Sequence, residues 1–269
     1  LHMAAQPLVR LSYADPVGTF GSNIMGTVHL LDALRRLSRP QAILVVTSDK
    51  VYANDGTGRA YGEGDALGGH DPYSASKAAT EIIAASFRDA FFAPEGVALA
   101  TARGGNVIGG GDYSADRLVP DIVRALSRNE SVVLRNPDAT RPWQHVLDCL
   151  DGYFTYLHGA ATGRGLPPAL NFGPAQGSPC FTVAALTDAM LTAMGRPALH
   201  RLDTTTGPHE MATLRIDPEL AGTVLPWYPR LNSEAMLQLT ADWYAAQVAG
   251  QDIAALTDAQ IAQYQDLAR

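Results

Sequence analysis

The chain is 269 residues long, 46% apolar and 17% charged, with a formal net charge of −7 and its 20 Lys and Arg residues scattered rather than clustered. That balance allows a substantial core in one large domain or two smaller ones, and it excludes the basic stripe of a nucleic-acid binder and the polybasic patch of a membrane-surface protein. No apolar run approaches the roughly 20 residues of a membrane helix, and Cys149 and Cys180, which lack metal-ligand spacing, predict free thiols, no metal and a reducing cytoplasm.

Val17 to Leu37 carries apolar residues at Ile24, Val28, Leu31 and Leu34, the spacing of a helix with one buried face. Residues 42–46 are an unbroken apolar run, as expected of a strand covered on both sides. An Ala-rich helix is predicted over Ser74 to Phe92 and a strand over Val97 to Ala102. A helix at Leu118 to Ser127, a strand at Val132 to Leu134, a helix at His145 to Leu157 and a strand at Leu170 to Phe172 follow. The alternation predicts βαβ units, hence an α/β fold with a doubly wound, mostly parallel sheet. Beyond Gly173, shorter helices near Val183 to Met194 and Ser233 to Ala249 are separated by Gly- and Pro-rich turns, which reads as a smaller mixed lobe. The last helix is expected to start at the capping box Thr257-Asp258-Ala259-Gln260.

The strongest chemical signal is Tyr73-Ser74-Ala75-Ser76-Lys77. Four residues apart on a helix, Tyr73 and Lys77 share one face. A phenol titrates near 10 and is too weak a base at neutral pH, but a neighbouring ammonium favours the phenolate. Such a pair suits removal of a hydroxyl proton while hydride leaves the same carbon. Ordinary surface helices also carry Tyr-x-x-x-Lys, so position matters. Upstream, the apolar run ends in Thr47-Ser48-Asp49-Lys50. Ligands of open α/β sheets sit at the carboxyl ends of strands, so this tetrapeptide lies where chemistry is done, although a polar turn with a capping Ser or Asp would read alike. Ser48 can hydrogen-bond a substrate hydroxyl, and Asp49 with Lys50 offers an acid and a base side by side.

Ser48, Tyr73 and Lys77 resemble the Ser/Thr, Tyr and Lys triad of short-chain dehydrogenases/reductases. The order strand, Ser-Asp-acid/base, Tyr-x-x-x-Lys resembles their extended, nucleotide-sugar branch. Where most 4,6-dehydratases of that branch carry Thr-Asp-Glu, Lys50 takes the third place, an Asp-Lys variant that resembles the CDP-glucose 4,6-dehydratases. The likeness continues in His2-Met3-Ala4-Ala5-Gln6-Pro7, Gly68-Gly69-His70-Asp71-Pro72, Gly105-Asn106-Val107-Ile108-Gly109-Gly110-Gly111-Asp112, Arg141-Pro142-Trp143-Gln144-His145 and Leu256-Thr257-Asp258-Ala259-Gln260-Ile261, so that it covers nearly the whole chain.

The resemblance implies a Rossmann-like fold with a dinucleotide-binding domain at residues 1–172 (113–144 contributing to the substrate lobe) and a mainly substrate-binding lobe at residues 173–269. It also implies NAD as cofactor, a nucleotide sugar, with CDP-glucose favoured, as substrate, and a homodimer paired through the helices at Val17 to Leu37 and Ser74 to Phe92. Ser48, Asp49, Lys50, Tyr73 and Lys77 would be catalytic. Tyr73 would take the C4 hydroxyl proton, Asp49 would protonate the departing C6 hydroxyl, and Lys50 would remove the C5 proton. His2, Ala4, Ala5, Gln6, Asn23, Tyr73 and Lys77 would lie at the cofactor, and Asn106, Arg117, Arg135, Arg141 and His145 at the substrate. Arg141 is the favoured diphosphate ligand, since its planar fork can make two bonds to phosphate oxygens; Trp143 is expected to pack.

Two departures stand out. No Gly-rich turn follows a first strand and opens a helix; Gly109-Gly110-Gly111 comes after a later strand. The resemblance therefore implies that this phosphate loop lies upstream of Leu1, and that NAD is held poorly without it. Residues 53–60 are Gly-rich where the CDP-glucose enzymes carry aromatics, which leaves the choice of nucleotide open. Another epimerase or dehydratase of the branch, or a non-catalytic nucleotide-sugar-binding protein, are the rival readings.

Overall fold

The computed structural model describes residues 1–37, 40–197, 200–203 and 213–267. In chain order the helices and strands are α1 (Val9–Ala14), α2 (Pro16–Phe20), α3 (Gly26–Arg36), β1 (Ala42–Val46), α4 (Pro72–Phe87), β2 (Ala98–Gly104), β3 (Asn106–Ile108), α5 (Leu118–Ser127), β4 (Val132–Leu134), β5 (Trp143–His145), α6 (Val146–Ala161), β6 (Ala169–Phe172), α7 (Val183–Ala193), β7 (His200–Leu202), α8 (Glu219–Val224), α9 (Ser233–Val248) and α10 (Ile253–Asp266). The helix expected over Val17 to Leu37 is α2 and α3 joined by a π-helical turn, Gly21–Met25, and α4 likewise runs on into a π-helical turn at Arg88–Phe92.

Two compact units divide the chain. The first comprises Leu1–Gly105, Asp151–Gln176 and Leu214–Tyr228. Its parallel sheet has the order β1-β2-β6, with Ala42 opposite Ala98 and Thr101 opposite Ala169, and His2 pairs with the outer edge of β1. Parallel strands are covered on both faces, which is why β1 reads as continuous Ala-Ile-Leu-Val-Val rather than as an alternation. On one face Ile43, Val45 and Leu99 pack with Leu31 of α3, Ala84 of α4 and Phe92. Leu31 is fully buried and contributes about 1.5–3 kcal/mol by leaving water. The parallel α/β architecture expected from the sequence is the one observed. Residues 214–228, placed by sequence with the C-terminal lobe, cluster with this sheet because Ile216 bridges to Tyr61 and Trp227 packs edge-on to Phe172 at 4.9 Å.

The second unit comprises Asn106–Leu150, Gly177–Thr213 and Pro229–Arg269. It has two short parallel pairs, β3 with β5 and β4 with β7. Its core is built on Val119, Ile122 and Val123 of α5, Leu186 and Met190 of α7, and Leu237 and Tyr244 of α9. Trp143 belongs to this core, as expected, with its indole N–H donated to the Phe181 carbonyl at 3.3 Å. The buried Asp148 carboxylate ties down the C-terminal segment, accepting from the Arg230 amide at 2.7 Å and the Tyr264 hydroxyl at 2.8 Å.

The start of the last helix is a correction. Its N-cap is Asp252, whose carboxylate accepts from the Ala255 amide at 3.1 Å, so Thr257 lies inside the helix. The Thr257 hydroxyl returns to the Ile253 carbonyl and accepts the Trp243 indole N–H at 3.0 Å. An Asp five residues upstream satisfies the same orphan amides, and the earlier cap lengthens the helix by more than a turn. The glycine run has a packing reason too: a Cβ on Gly110 would lie 2.1 Å from the Trp243 ring.

Candidate active site

β1 delivers Thr47 and Ser48 at its carboxyl end, and a 3₁₀ turn, Asp49–Val51, follows at once. Ser48 caps that turn: its hydroxyl accepts the Lys50 amide at 3.2 Å and donates to the Asp49 carboxylate at 3.0 Å. Ser48 and Asp49 are buried and Lys50 is half-buried. A hydroxyl, a carboxyl and an ammonium thus leave one strand end within three residues.

α4 brings Tyr73 and Lys77 to the same strand. Asp71 caps it, accepting from the Ser74 amide at 2.9 Å and the Ser74 hydroxyl at 2.6 Å, and Pro72 fills the first turn, where no amide is needed. The Ser12 hydroxyl accepts the Tyr73 amide at 3.2 Å. Lys77 is buried to 6% exposure and its Nζ donates to the Val46 carbonyl, the last of β1, at 3.0 Å. Burial pulls the Lys77 ammonium down to about 8, against which the Glu81 carboxylate works in the opposite direction. Gly69 lets the incoming chain lie against α4, since a Cβ there would meet the Ala75 nitrogen at 2.4 Å.

The segment expected at the cofactor runs along the outer edge of β1. The His2 amide donates to the Leu44 carbonyl at 2.8 Å, and its ring lies 3.2 Å from the Thr27 hydroxyl. Burial first, then Lys77, holds the His2 imidazole below its ordinary range. Ala4 is exposed and Ala5 half-buried. Gln6 and Asn23 spend their side chains on the protein. Asn23 Oδ1 accepts the Gln6 amide at 2.7 Å, and its Nδ2 donates to the Gln6 carbonyl at 3.0 Å and the Ser76 hydroxyl at 2.8 Å. The Gln6 amide group donates to Thr19 Oγ1 at 2.8 Å and accepts from the Leu8 amide at 2.5 Å. These two side chains brace the segment against α4.

The residues expected at the substrate lie in the second unit. Asn106 opens β3, beside Trp143 of β5. Arg135 pairs with Asp116 at 2.6 Å, and Arg117 lies 3.8 Å from Asp112. Arg141 is buried, with one Nη donating to the Thr140 carbonyl at 2.8 Å. His145 is 2% exposed and accepts the Leu147 amide on Nδ1 at 3.2 Å, so its neutral ring carries the proton on Nε2.

Burial pushes the His145 imidazole down to about 4, whereas an unfolded histidine titrates near 6.5. Between those values the unfolded chain holds the extra proton, so the contribution of neutral His145 is complete above pH 6.5 and is lost as pH falls towards 4. The parent chain is therefore expected to lose about 3 kcal/mol more stability across that window than His145→Gln, as read by thermal melts at stepped pH.

Sequence reasoning missed the polar network under the sheet. Glu81 of α4, 5% exposed, accepts from the Thr47 hydroxyl, from the Thr101 hydroxyl at 2.8 Å and from Arg103 Nη2 at 2.8 Å. Arg103 Nη1 donates to the Tyr52 hydroxyl at 3.0 Å and to the Glu63 carbonyl at 3.1 Å; Tyr52 then donates to Asn171 at 2.6 Å. A charged residue inside the apolar strand Ala-Leu-Ala-Thr-Ala-Arg-Gly is the signal that could have found it, because a buried charge needs a partner.

Among the described residues no His, Cys, Asp and Glu group could hold a metal ion, and no helix is long and apolar enough to cross a membrane.

The model of the NAD dependent epimerase/dehydratase family matches residues 1–168. CDP-glucose 4,6-dehydratase of Salmonella typhimurium is 42% identical over 273 residues, covering 98% of this chain and 75% of that protein. A dTDP-glucose 4,6-dehydratase of Actinoplanes sp. is 26% identical and is matched over 91% of this chain and 72% of its own length. Of solved structures, dTDP-glucose 4,6-dehydratase from Streptomyces venezuelae, with NAD bound, has a TM-score of 0.79 at 21% identity, covering 93% of this chain and 74% of that one. UDP-glucuronic acid 4-epimerase from Bacillus cereus, in complex with UDP-glucuronic acid and NAD, has a TM-score of 0.78 at 19% identity, covering 92% of this chain and 75% of that one. At such identities the solved structures speak for the fold.

Proposed function

This chain belongs to the NAD dependent epimerase/dehydratase family, and on that premise we propose that it is a nucleotide-sugar 4,6-dehydratase that converts CDP-glucose to CDP-4-keto-6-deoxyglucose. The observation that carries the reading is the end of β1. There Ser48, Asp49 and Lys50 follow one residue after Val46, whose carbonyl holds the Lys77 ammonium one helical turn from Tyr73. A 4-epimerase removes no C5 proton and expels no C6 hydroxyl, so it has no use for the Asp49-Lys50 pair.

The residues present fit the nicotinamide end of NAD. Lys77 has three ammonium protons, one spent on Val46, which leaves two donors for ribose hydroxyls. Bound NAD supplies a two-electron acceptor that gives the hydride back within the same turnover. Tyr73, as phenolate beside Lys77, takes the C4 hydroxyl proton, and Ser48 hydrogen-bonds that hydroxyl. The C4 ketone then acidifies the C5 proton, which Lys50 removes as the neutral amine while Asp49, as the carboxylic acid, protonates the departing C6 hydroxyl as water; Lys50 gives the proton back to C5 as C6 is reduced. Arg141 binds the diphosphate, with Asn106, Arg117, Arg135 and His145 around the nucleotide.

We place the enzyme in a reducing cytoplasm, where the side chains of Cys149 and Cys180 stay thiols. We read it as a homodimer paired through α2, α3 and α4, with Val17 of α2, Met25 of the π-helical turn between α2 and α3, and Ile82 of α4 exposed to solvent. Residues 1–105 together with the other segments of the first unit form the dinucleotide domain in this reading, and the second unit forms the substrate lobe.

The test is protein incubated with CDP-glucose and NAD, with sugar-nucleotide mass followed over time. Loss of one water without net NADH is the expected result. An unchanged mass with a changed sugar configuration would make the chain an epimerase, and no change of either kind would leave nucleotide-sugar binding alone. Gly69→Ala is expected to lower kcat by up to about 100-fold, because the added methyl pushes on the α4 backbone at Ser74 and Ala75 and displaces Tyr73. Steady-state kinetics on a variant with the parent's far-UV spectrum checks this.

A further inference from the structure

Lys77 lies within a helical turn of a second buried charge that the mechanism above does not use. Glu81 follows it by four residues on α4, so the two side chains rise from one face. Both are nearly inaccessible to water, Lys77 at 6% and Glu81 at 5% exposure, so their charges interact with little screening. The Glu81 carboxylate is also the junction of three elements. It accepts the hydroxyl of Thr47, the residue directly before Ser48, at the end of β1. From β2 it accepts the hydroxyl of Thr101 and the guanidinium of Arg103, each at 2.8 Å.

We propose that Glu81 is a positioning residue for the dehydratase chemistry: its carboxylate clamps the strand ends that carry Ser48 and Arg103 onto the helix that carries Tyr73, and keeps Lys77 an ammonium. This rests on the reading of Ser48, Tyr73 and Lys77 given above.

The charge balance follows from what surrounds the pair. Facing Glu81 are Lys77 from its own helix, Arg103 from β2 and, from α6, Tyr156, which burial keeps neutral. Facing Lys77 from the edge of β1 is His2, whose lowered pKa leaves it neutral at pH 7. Burial alone favours a neutral Lys77 amine, and Glu81 is the anion that opposes it. Without that anion the amine would lose its proton at lower pH. The unbalanced Arg103 cation would push in the same direction. A neutral Lys77 gives the Tyr73 phenolate no support.

The test uses an unusual property of the chain: Lys50 and Lys77 are its two lysines. With ¹³Cε-labelled lysine, each titrates as a separate NMR signal, and a Lys50→Arg variant assigns them. In the parent chain the Lys77 midpoint is expected near 8. In Glu81→Gln it is expected to fall by about one unit or more, with the Lys50 midpoint unmoved, while Glu81→Asp keeps it close to the parent value. The alkaline limb of the kcat profile should move down with it. If Glu81→Gln does not fold, Glu81→Gln with Arg103→Met removes the stranded cation, and the Lys77 midpoint should still fall. An unmoved Lys77 midpoint in whichever of these variants folds overturns the proposal. The titration needs no substrate, so a parent chain without dehydratase turnover would sink the functional reading and leave the Glu81 result to stand separately.

Discussion

Turnover of CDP-glucose by Tyr73→Phe is expected to fall by about 10²–10⁴-fold, with affinity for the nucleotide sugar changed by less than about twofold. The substitution removes one oxygen and keeps the ring. The α4 cap survives, because the Ser12 hydroxyl accepts the backbone amide of residue 73 and Asp71 holds Ser74. What is lost is the group whose proton affinity Lys77 lowers. With Lys77 titrating near 8, the ammonium is the main form at pH 7 and the phenolate is favoured there. The sign is definite: raising the pH through 8 removes the ammonium and its support for phenolate. Product mass spectrometry and calorimetric titration with CDP-glucose check both halves. Turnover equal to that of the parent chain would remove Tyr73 as the base.

Arg103→Met is expected to lower the melting temperature by about 10 °C, the largest stability effect of any single substitution proposed for this chain. Met follows the stem of Arg103 and fills much of its volume, but it leaves the Glu81 carboxylate buried without its cation. Stranding one partner of a buried pair costs about 3–5 kcal/mol. It also strips the Tyr52 hydroxyl and the Glu63 carbonyl of a donor. Adding Glu81→Gln to the same chain should recover at least half the loss, since the carboxylate stranded by the loss of Arg103 is then gone. A double variant melting no higher than Arg103→Met would mean that the guanidinium matters for packing rather than for charge.

The reach of sequence reasoning followed the range of the interactions. β1 was legible because a strand covered on both faces must be apolar throughout, and Ser48-Asp49-Lys50 could then be placed at its carboxyl end. α4 was legible from its cap and Ala-rich run, and the pairing of Tyr73 with Lys77 from helical geometry. Lys77 against the Val46 carbonyl was not, since it joins residues far apart in the chain. Glu81 and Arg103 failed for the same reason: each alone resembles an exposed charge, and burial of both follows from the tertiary contact between α4 and β2. The tertiary bonds of Asn23 and Gln6, expected at the cofactor, were not legible either: the Asn23 amide holds the Gln6 backbone and Ser76, and the Gln6 amide holds Thr19 and the Leu8 backbone. At the last helix two capping signals competed locally, and the earlier one, Asp252, prevailed.

The order in which the chain visits its two units constrains how it is made. The sheet needs β6 beside β2, but residues 106–150 are synthesised between them and belong to the other unit. On the ribosome, β1 and β2 can pair early, while the third strand emerges only after a long excursion whose closure entropy must be met first. The first unit has all its segments only when Tyr228 has emerged, and the second only when residues 229–269 follow. A nascent chain stalled before β6 would therefore expose the inner edge of β2, with the unpaired backbone of Thr101 to Gly104 open to strand exchange with a neighbouring chain.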